Sequence, residues 1–467
     1  MTGAHDLVVV THQLPIVGGR RADRLAWRPG PGGMVDAIHR HLRSRDGIWV
    51  GWPGVGVVGA HRICTVEDVR VKPVALSMED LDNYYDGQCN ATIRPLYHDA
   101  IPEPVFRGGW SQAYLEVNGR FAEAAAAVAA PGATVWVFDC ELQLVPAALR
   151  ALRPDLRIGF FLRSPFPPPE LFVRLPLRVD IVRGLLGADV VGFQGHGGAE
   201  NFRRLAGRLL GLHTDGVNVT TEDGRAVMVG TFPASVDVAD VERRAGDPAV
   251  LARADAIRAR LGHPDVLLVS IDALDHANGI EQRLAAFDEL MGERRLPGAA
   301  LVQIAVPSRR RVASHDQLRR RVEHLVGRIN GSHARVGHPA VHYLHRPLSR
   351  DELVALYLAA DAALVTPLRD GMSLVAKEYV AARLRDSGAL VLSEFTGAAA
   401  ELAGAHMVNP YDVDAVQRAI VAATTEPADR AADRIRSMRS HLRFHDSHAW
   451  ARRLLTALDR QPSAAVH

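Results

Sequence analysis

Short, predominantly apolar runs rich in β-branched residues alternate along this chain with longer stretches of helical periodicity. The runs form two series. The first is Leu7–Val10, Val135–Val137, Ile158–Leu162, Val190–Phe193 and Val227–Phe232; the second is Val266–Ile271, Ala300–Ala305, Ala362–Val365 and Leu390–Leu392. A strand with one face in water alternates apolar and polar residues, whereas a strand covered on both faces is apolar throughout. Continuous runs separated by helices therefore predict parallel sheets between helical layers, an α/β chain of doubly wound, Rossmann-like construction. Phe121–Ala130 and Asp351–Ala360 carry the amphipathic pattern expected of covering helices.

A chain of 467 residues exceeds the size at which one hydrophobic core stops growing, so two domains are expected. The break falls near Pro233–Gly246, where an apolar run gives way to charged sequence. This divides the chain into an N-terminal domain, 1–238, and a C-terminal domain, 239–445. Within the remaining 446–467, Ala449–Leu458 is helical in pattern and is expected to pack back on the N-terminal domain. Ligands of open α/β sheets bind beyond the carboxyl ends of the strands, which makes the cleft between two such domains the expected site.

Composition removes several alternatives. Lys+Arg 55 against Asp+Glu 53 gives no basic excess, so neither nucleic acid nor a membrane surface is the expected partner. No apolar run reaches the roughly 18 residues of a membrane span. Three cysteines, Cys64, Cys89 and Cys140, exclude a disulfide framework, and the N-terminus lacks the pattern of a signal peptide; both point to the cytoplasm. The 21 histidines lack the clustering of a closed metal site, and His41, His196 and His345 read as surface or core residues, so no metal is expected. Lysine occurs only at Lys72 and Lys377, a bias that would turn Lys into Arg by drift and leave Arg alone.

Specific motifs add to this. Thr366-Pro-Leu-Arg-Asp-Gly-Met-Ser-Leu-Val-Ala-Lys-Glu-Tyr379 is similar to the donor-site signature of trehalose-6-phosphate synthases. Trp49-Val-Gly-Trp52, Tyr84-Tyr85, Ile158-Gly-Phe-Phe-Leu162 with Pro165-Phe-Pro167, Arg328-Ile-Asn-Gly331 and Val408-Asn-Pro-Tyr-Asp412 follow the order found in that family. The chain thus resembles the retaining GT-B glycosyltransferases of family 20 over nearly its whole length. The resemblance implies two Rossmann-like domains facing across a cleft, no cofactor, and a nucleotide sugar as co-substrate. The family's reaction passes glucose to glucose 6-phosphate with retention of configuration.

Glycosyl transfer requires a held nucleotide, a neutralised diphosphate, a steadied sugar and an aimed acceptor hydroxyl. For the donor, the resemblance sets Arg369, Asp370, Gly371, Met372, Ser373 and Leu374 in the loop entering a helix at Leu374–Ala382, with Asp370 on the sugar and Glu378 on the ribose. Backbone N–H groups of such a loop suit phosphate and sugar oxygens. Gly32 and Gly33 fall where the family places glycines against donor phosphate. Asp139 and Arg163 join Asp370 as catalytic candidates, and Gln13, Tyr85, Arg94, Glu141 and Arg309 line the acceptor side.

Against the family pattern, Ala273 and Asn278 replace the Arg and Lys directed at the leaving phosphates, Arg163 replaces a His, Gln13 an Arg, and Arg94 a Trp. Each lost hydrogen bond to a charged group is worth about 1.5–3 kcal/mol. These replacements lead to the expectation of a divergent or pseudo-glycosyltransferase-like enzyme of specialised metabolism, antibiotic biosynthesis included. It would join a nucleotide-activated sugar or cyclitol to a polar or phosphorylated acceptor other than glucose 6-phosphate. The second expectation is an inactive paralogue with a regulatory or partner role. The sequence leaves room for a homo-oligomer.

Overall fold

A computed structural model of the chain describes residues 4–18, 25–27, 34–54, 63–66, 68–307 and 313–460. Two compact units emerge: Met1–Ala234 with Ser447–His467, and Ser235–Asp446. Each is an α/β unit built on a largely parallel sheet.

The first unit carries a nine-stranded sheet. From edge to edge its strands are Asn218–Thr220, Ala226–Thr231, Val190–Phe193, Arg157–Leu162, Ala129–Phe138, His5–Gln13, Ile48–Trp52, Val69–Pro73 and Cys64–Val66. The seven inner strands are parallel, and each edge strand is antiparallel to its neighbour. Val135, Trp136 and Val137 and the run Ile158–Leu162 are fully buried, as their continuous hydrophobicity requires. Helix Ser447–Asp459 returns to this sheet from the end of the chain. Its Trp450 lies against Trp136 and Phe161 and donates to the Phe232 carbonyl at 3.2 Å. Gly159 makes room for it, since a Cβ there would stand 2.6 Å from Leu458 Cδ1.

One helix boundary differs from the sequence expectation. The helix is Gly108–Ala126, and strand Ala129–Phe138 already begins inside the 121–130 stretch. Pro131 disfavours helical backbone at Ala130, and Ala129 pairs with His5 instead.

The second unit holds six parallel strands in the order Val341–Leu344, Ala299–Val306, Val266–Ala273, Ala362–Val365, Ala389–Ser393 and His406–Val408. In both sheets the strand order reverses beside the unit's first strand. The reversal lies between His5–Gln13 and Ala129–Phe138 in the first unit, and between Val266–Ala273 and Ala362–Val365 in the second. Neighbouring connections leave on opposite faces at such a point, and a crevice opens beyond the strand ends.

Candidate active site

In the first unit the reversal gathers Thr11–Gln13 and Asp139–Glu141. Asp139 adopts φ 71°, ψ 167°, a backbone region almost reserved for glycine and costing about 1–3 kcal/mol elsewhere. Its N–H donates to the Phe161 carbonyl at 3.0 Å, and its own carbonyl accepts from Leu142 N–H at 3.1 Å. The strained residue turns its carboxylate onto Arg163, which donates through its backbone N–H at 3.2 Å, through Nε at 2.6 Å, and through Nη2. Arg163 is half exposed while Asp139 is buried, so the guanidinium is oriented by a fixed partner yet open to solvent.

His12 is buried within Trp52, Tyr84 and Tyr85, and stacks on Tyr85 at 4.3 Å and 7°. The Tyr84 hydroxyl lies 3.2 Å from His12 Nδ1 and 3.2 Å from the Glu141 carbonyl. That hydroxyl has one proton, which goes to the carbonyl; His12 therefore donates from Nδ1. Burial lowers the His12 pKa to about 4 against the opposing pull of Glu141, leaving a neutral ring. Glu141 is buried as well. Burial pushes its carboxyl upward, but Arg94, His12, its own N–H and Arg163 outweigh that and hold it below the usual carboxylate range.

A polar network that the sequence reading missed fixes this segment. Tyr114 donates to the Cys140 carbonyl at 2.7 Å, Asn118 Nδ2 to the Glu141 carbonyl at 3.0 Å, and Tyr97 to Gln143 Oε1 at 2.6 Å. Tyr84 and Tyr85 sit on a π-helical stretch, Leu81–Ile93, that runs directly into the helix Arg94–Tyr97. Gln13 ends the first strand, its amide beside Gly54, which takes φ 96°. Gln13, Tyr85, Arg94, Asp139, Glu141 and Arg163 are thus brought to one end of one sheet. Gly32, Gly33 and Arg309 lie outside the described residues.

In the second unit the reversal holds the loop Arg369–Ser373. The Leu368 N–H bonds the Ala277 carbonyl at 2.7 Å, which ties this loop to the turn after Val266–Ala273. Gly279 in that turn has φ 64°, and a Cβ there would stand 2.3 Å from the Thr366 carbonyl, so only glycine fits. The Ser373 hydroxyl donates to Asp370 Oδ2 at 2.6 Å and accepts from Thr396 Oγ1 at 3.0 Å. Gly371 comes close enough to Gly397 that a Cβ on the latter would meet its carbonyl at 2.2 Å. The helix Leu374–Ala382 starts here; Met372 is buried and Leu374 half-buried. Lys377 points inward to Glu401 at 2.7 Å, and half-buried Glu378 accepts from the Tyr357 hydroxyl at 3.0 Å.

Ala273 is exposed, and Asn278 donates to its carbonyl at 2.8 Å, so neither side chain supplies a cation. Beneath them Arg283 is fully buried, bonded to Asp272, to Thr366 Oγ1 at 2.8 Å and to Gln303 at 3.2 Å. That guanidinium braces the strand ends. Among the described residues no group of three or more His, Cys, Asp or Glu could hold a metal ion, and no helix is long and apolar enough to cross a membrane.

Two units with a loop-and-helix donor signature at the reversal of the second sheet invite comparison with known proteins. The profile of Glycosyltransferase family 20 matches residues 5–460. The chain is 50% identical over 470 residues to the trehalose-6-phosphate synthase of Mycobacterium avium (strain 104), spanning 98% of this chain and 96% of that one. A Burkholderia xenovorans alpha,alpha-trehalose-phosphate synthase (UDP-forming) in complex with glucose-6-phosphate has a TM-score of 0.88 at 29% identity, over 97% of this chain and 99% of that one. An E. coli trehalose-6-phosphate protein bound with UDP-2-fluoro glucose gives 0.89 at 30% identity, over 97% and 99%.

These findings correct the functional expectation drawn from the replaced residues. Half of all positions match a trehalose-6-phosphate synthase along essentially the full length of both chains, which supports neither a pseudo-glycosyltransferase of specialised metabolism, nor a different acceptor, nor an inactive paralogue. The replaced side chains, Gln13, Arg94, Arg163, Ala273 and Asn278, are a handful of positions within a scaffold that matches along its whole length. Built of two Rossmann-like α/β units, the chain belongs to glycosyltransferase family 20.

Proposed function

We propose that the chain is a retaining, UDP-forming transferase that passes glucose from UDP-glucose to glucose 6-phosphate, giving trehalose 6-phosphate. The observation that carries this reading is the intact donor loop, Arg369–Leu374, bound into place by Asp370, Ser373 and Thr396 at the strand reversal of the second unit. The relatives' substrates support it: one is UDP-forming and holds glucose-6-phosphate, another holds a UDP-sugar.

In this reading the N-terminal domain, 1–238, carries the acceptor side and the C-terminal domain, 239–445, the nucleotide. Asp370 accepts from the donor sugar's hydroxyls, and Glu378 from the ribose. Backbone N–H groups of Gly371, Met372, Ser373 and Leu374, together with Gly32, Gly33 and the Arg369 guanidinium, face the donor's phosphates and sugar. Arg163, aimed by Asp139, offers a permanent cation to the charge that develops as the glycosidic bond breaks. Tyr85 forms a platform for the acceptor ring beside Gln13, Arg94 and Glu141, and Arg309 grips the acceptor's phosphate.

Replacing glucose 6-phosphate by glucose tests this acceptor assignment. A site built for a charged phosphate rejects the analogue lacking it, so kcat/KM should fall by at least about a hundredfold, and Arg309→Ala should reproduce most of that loss. Equal use of both acceptors would overturn the reading.

A further inference from the structure

Glu378 is the carboxylate that the reading above sets against the nucleotide's ribose, and a residue from another helix holds it. Tyr357, on the helix Arg350–Ala359, donates its hydroxyl proton to Glu378 Oε2 at 3.0 Å. Its ring is 1% exposed and meets Tyr379 edge-on, with centroids 6.1 Å apart at 88°. Its backbone is pinned too: Arg383, just past the donor helix, donates from Nη1 to the carbonyls of Tyr357 at 2.6 Å and Ala360 at 2.9 Å. The carboxyl-terminal ends of the two helices are thus clamped together, and the tyrosine cannot rotate away from Glu378. Burial, then the charge on Glu378, push its pKa well above the usual value of 10, so the hydroxyl remains a proton donor at working pH.

A carboxylate turns freely about its last side-chain bond unless something fixes one oxygen. The ribose of a nucleotide offers a vicinal diol, two hydroxyl donors of fixed spacing, and gains most from an acceptor whose plane is already set. We propose that Tyr357 is a positioning residue for nucleotide recognition, its hydroxyl orienting the Glu378 carboxylate to accept from the ribose diol of uridine diphosphate. The inference rests on the functional reading above, through Glu378.

Calorimetry of the full chain with uridine diphosphate and its 2′,3′-dideoxy analogue tests it. The wild-type protein should prefer the diol by about tenfold or more, the value of hydrogen bonds to a charged acceptor. Tyr357→Phe should weaken the diol ligand by about five- to tenfold and leave the dideoxy ligand unchanged. The KM for UDP-glucose should rise by the same factor, with kcat and the KM for glucose 6-phosphate unmoved. Equal weakening of both ligands would mark Tyr357 as a packing residue only, and unchanged binding of both would also overturn the proposal. Should Tyr357→Phe not fold, Glu378→Gln decides the matter. If Tyr357 holds the carboxamide oxygen, the amide nitrogen faces the ribose, the charge-assisted bonds from the diol are lost and the preference for it shrinks; a preference as large as the wild type's overturns the proposal. If Glu378→Ala leaves the preference intact, the donor-site reading itself fails, and the proposal fails with it.

Discussion

An imidazole enclosed by Trp52, Tyr84 and Tyr85 has no water to solvate a positive charge, and the one hydroxyl it meets accepts from Nδ1. The folded protein therefore resists protonating His12 until about pH 4, while the unfolded chain takes that proton near 6.5. The unfolded state binds more protons between those values, so the stability tied to His12 is complete above pH 6.5 and falls as the pH drops toward 4. At 1.36 kcal/mol per pKa unit the loss is roughly 3 kcal/mol. Denaturant midpoints of the wild type and His12→Asn, compared at about pH 7 and pH 4.5, should show a markedly shallower acid loss in the variant. Parallel losses in both would contradict the buried, neutral histidine. Glu141 adds its own loss only at the acid end, because its carboxyl is held below the usual carboxylate range. Neither property was legible in the sequence. His12 stood next to a lost arginine, and nothing local shows that Trp52, Tyr84, Tyr85 and Glu141 converge on it.

The elements divide by whether their cause is local. Inner strands such as Arg157–Leu162 and Val266–Ala273 were readable because burial on both faces leaves a mostly apolar run in each. Ile48–Trp52 is equally buried, yet its tryptophans and glycine stood out as a motif before they stood out as a strand. The three-residue edge strands Cys64–Val66 and Asn218–Thr220 are too short to show a period at all. Nor could periodicity announce the π-helical stretch that carries Tyr84 and Tyr85, whose winding depends on what packs around it. The donor loop and its helix were legible outright, since a glycine-containing loop motif and a helical run follow one another in the sequence. The turn Ala273–Gly279 gives a prediction at this scale. It is tied to Leu368 through the Ala277 carbonyl, Ala273 is exposed, and Asn278 donates to the Ala273 carbonyl, so neither position carries the cation of the family pattern. Ala273→Arg with Asn278→Lys should raise kcat/KM for UDP-glucose by about tenfold or more, given roughly 1.5–3 kcal/mol per charge-assisted contact. A fall, or no change, would show that the turn does not face the leaving group.

At the scale of the whole molecule, two sheets each reverse their strand order beside the first strand, and each reversal holds one set of candidate groups. The N-terminal set gathers charged side chains near a buried, neutral histidine; the C-terminal set is a loop held by Ser373 and Thr396 and opening into a helix. Fold and family were legible because they rest on patterns repeated along the chain. Substrate identity was misread because it was argued from single replacements, and a replaced cation changes how strongly a phosphate is held before it changes which molecule is bound. The most direct test is to incubate the purified chain with UDP-glucose and glucose 6-phosphate and follow the products by nuclear magnetic resonance. Stoichiometric UDP and α,α-linked trehalose 6-phosphate are the predicted result. Intact substrates, or a glucosyl product of any other linkage, would contradict it.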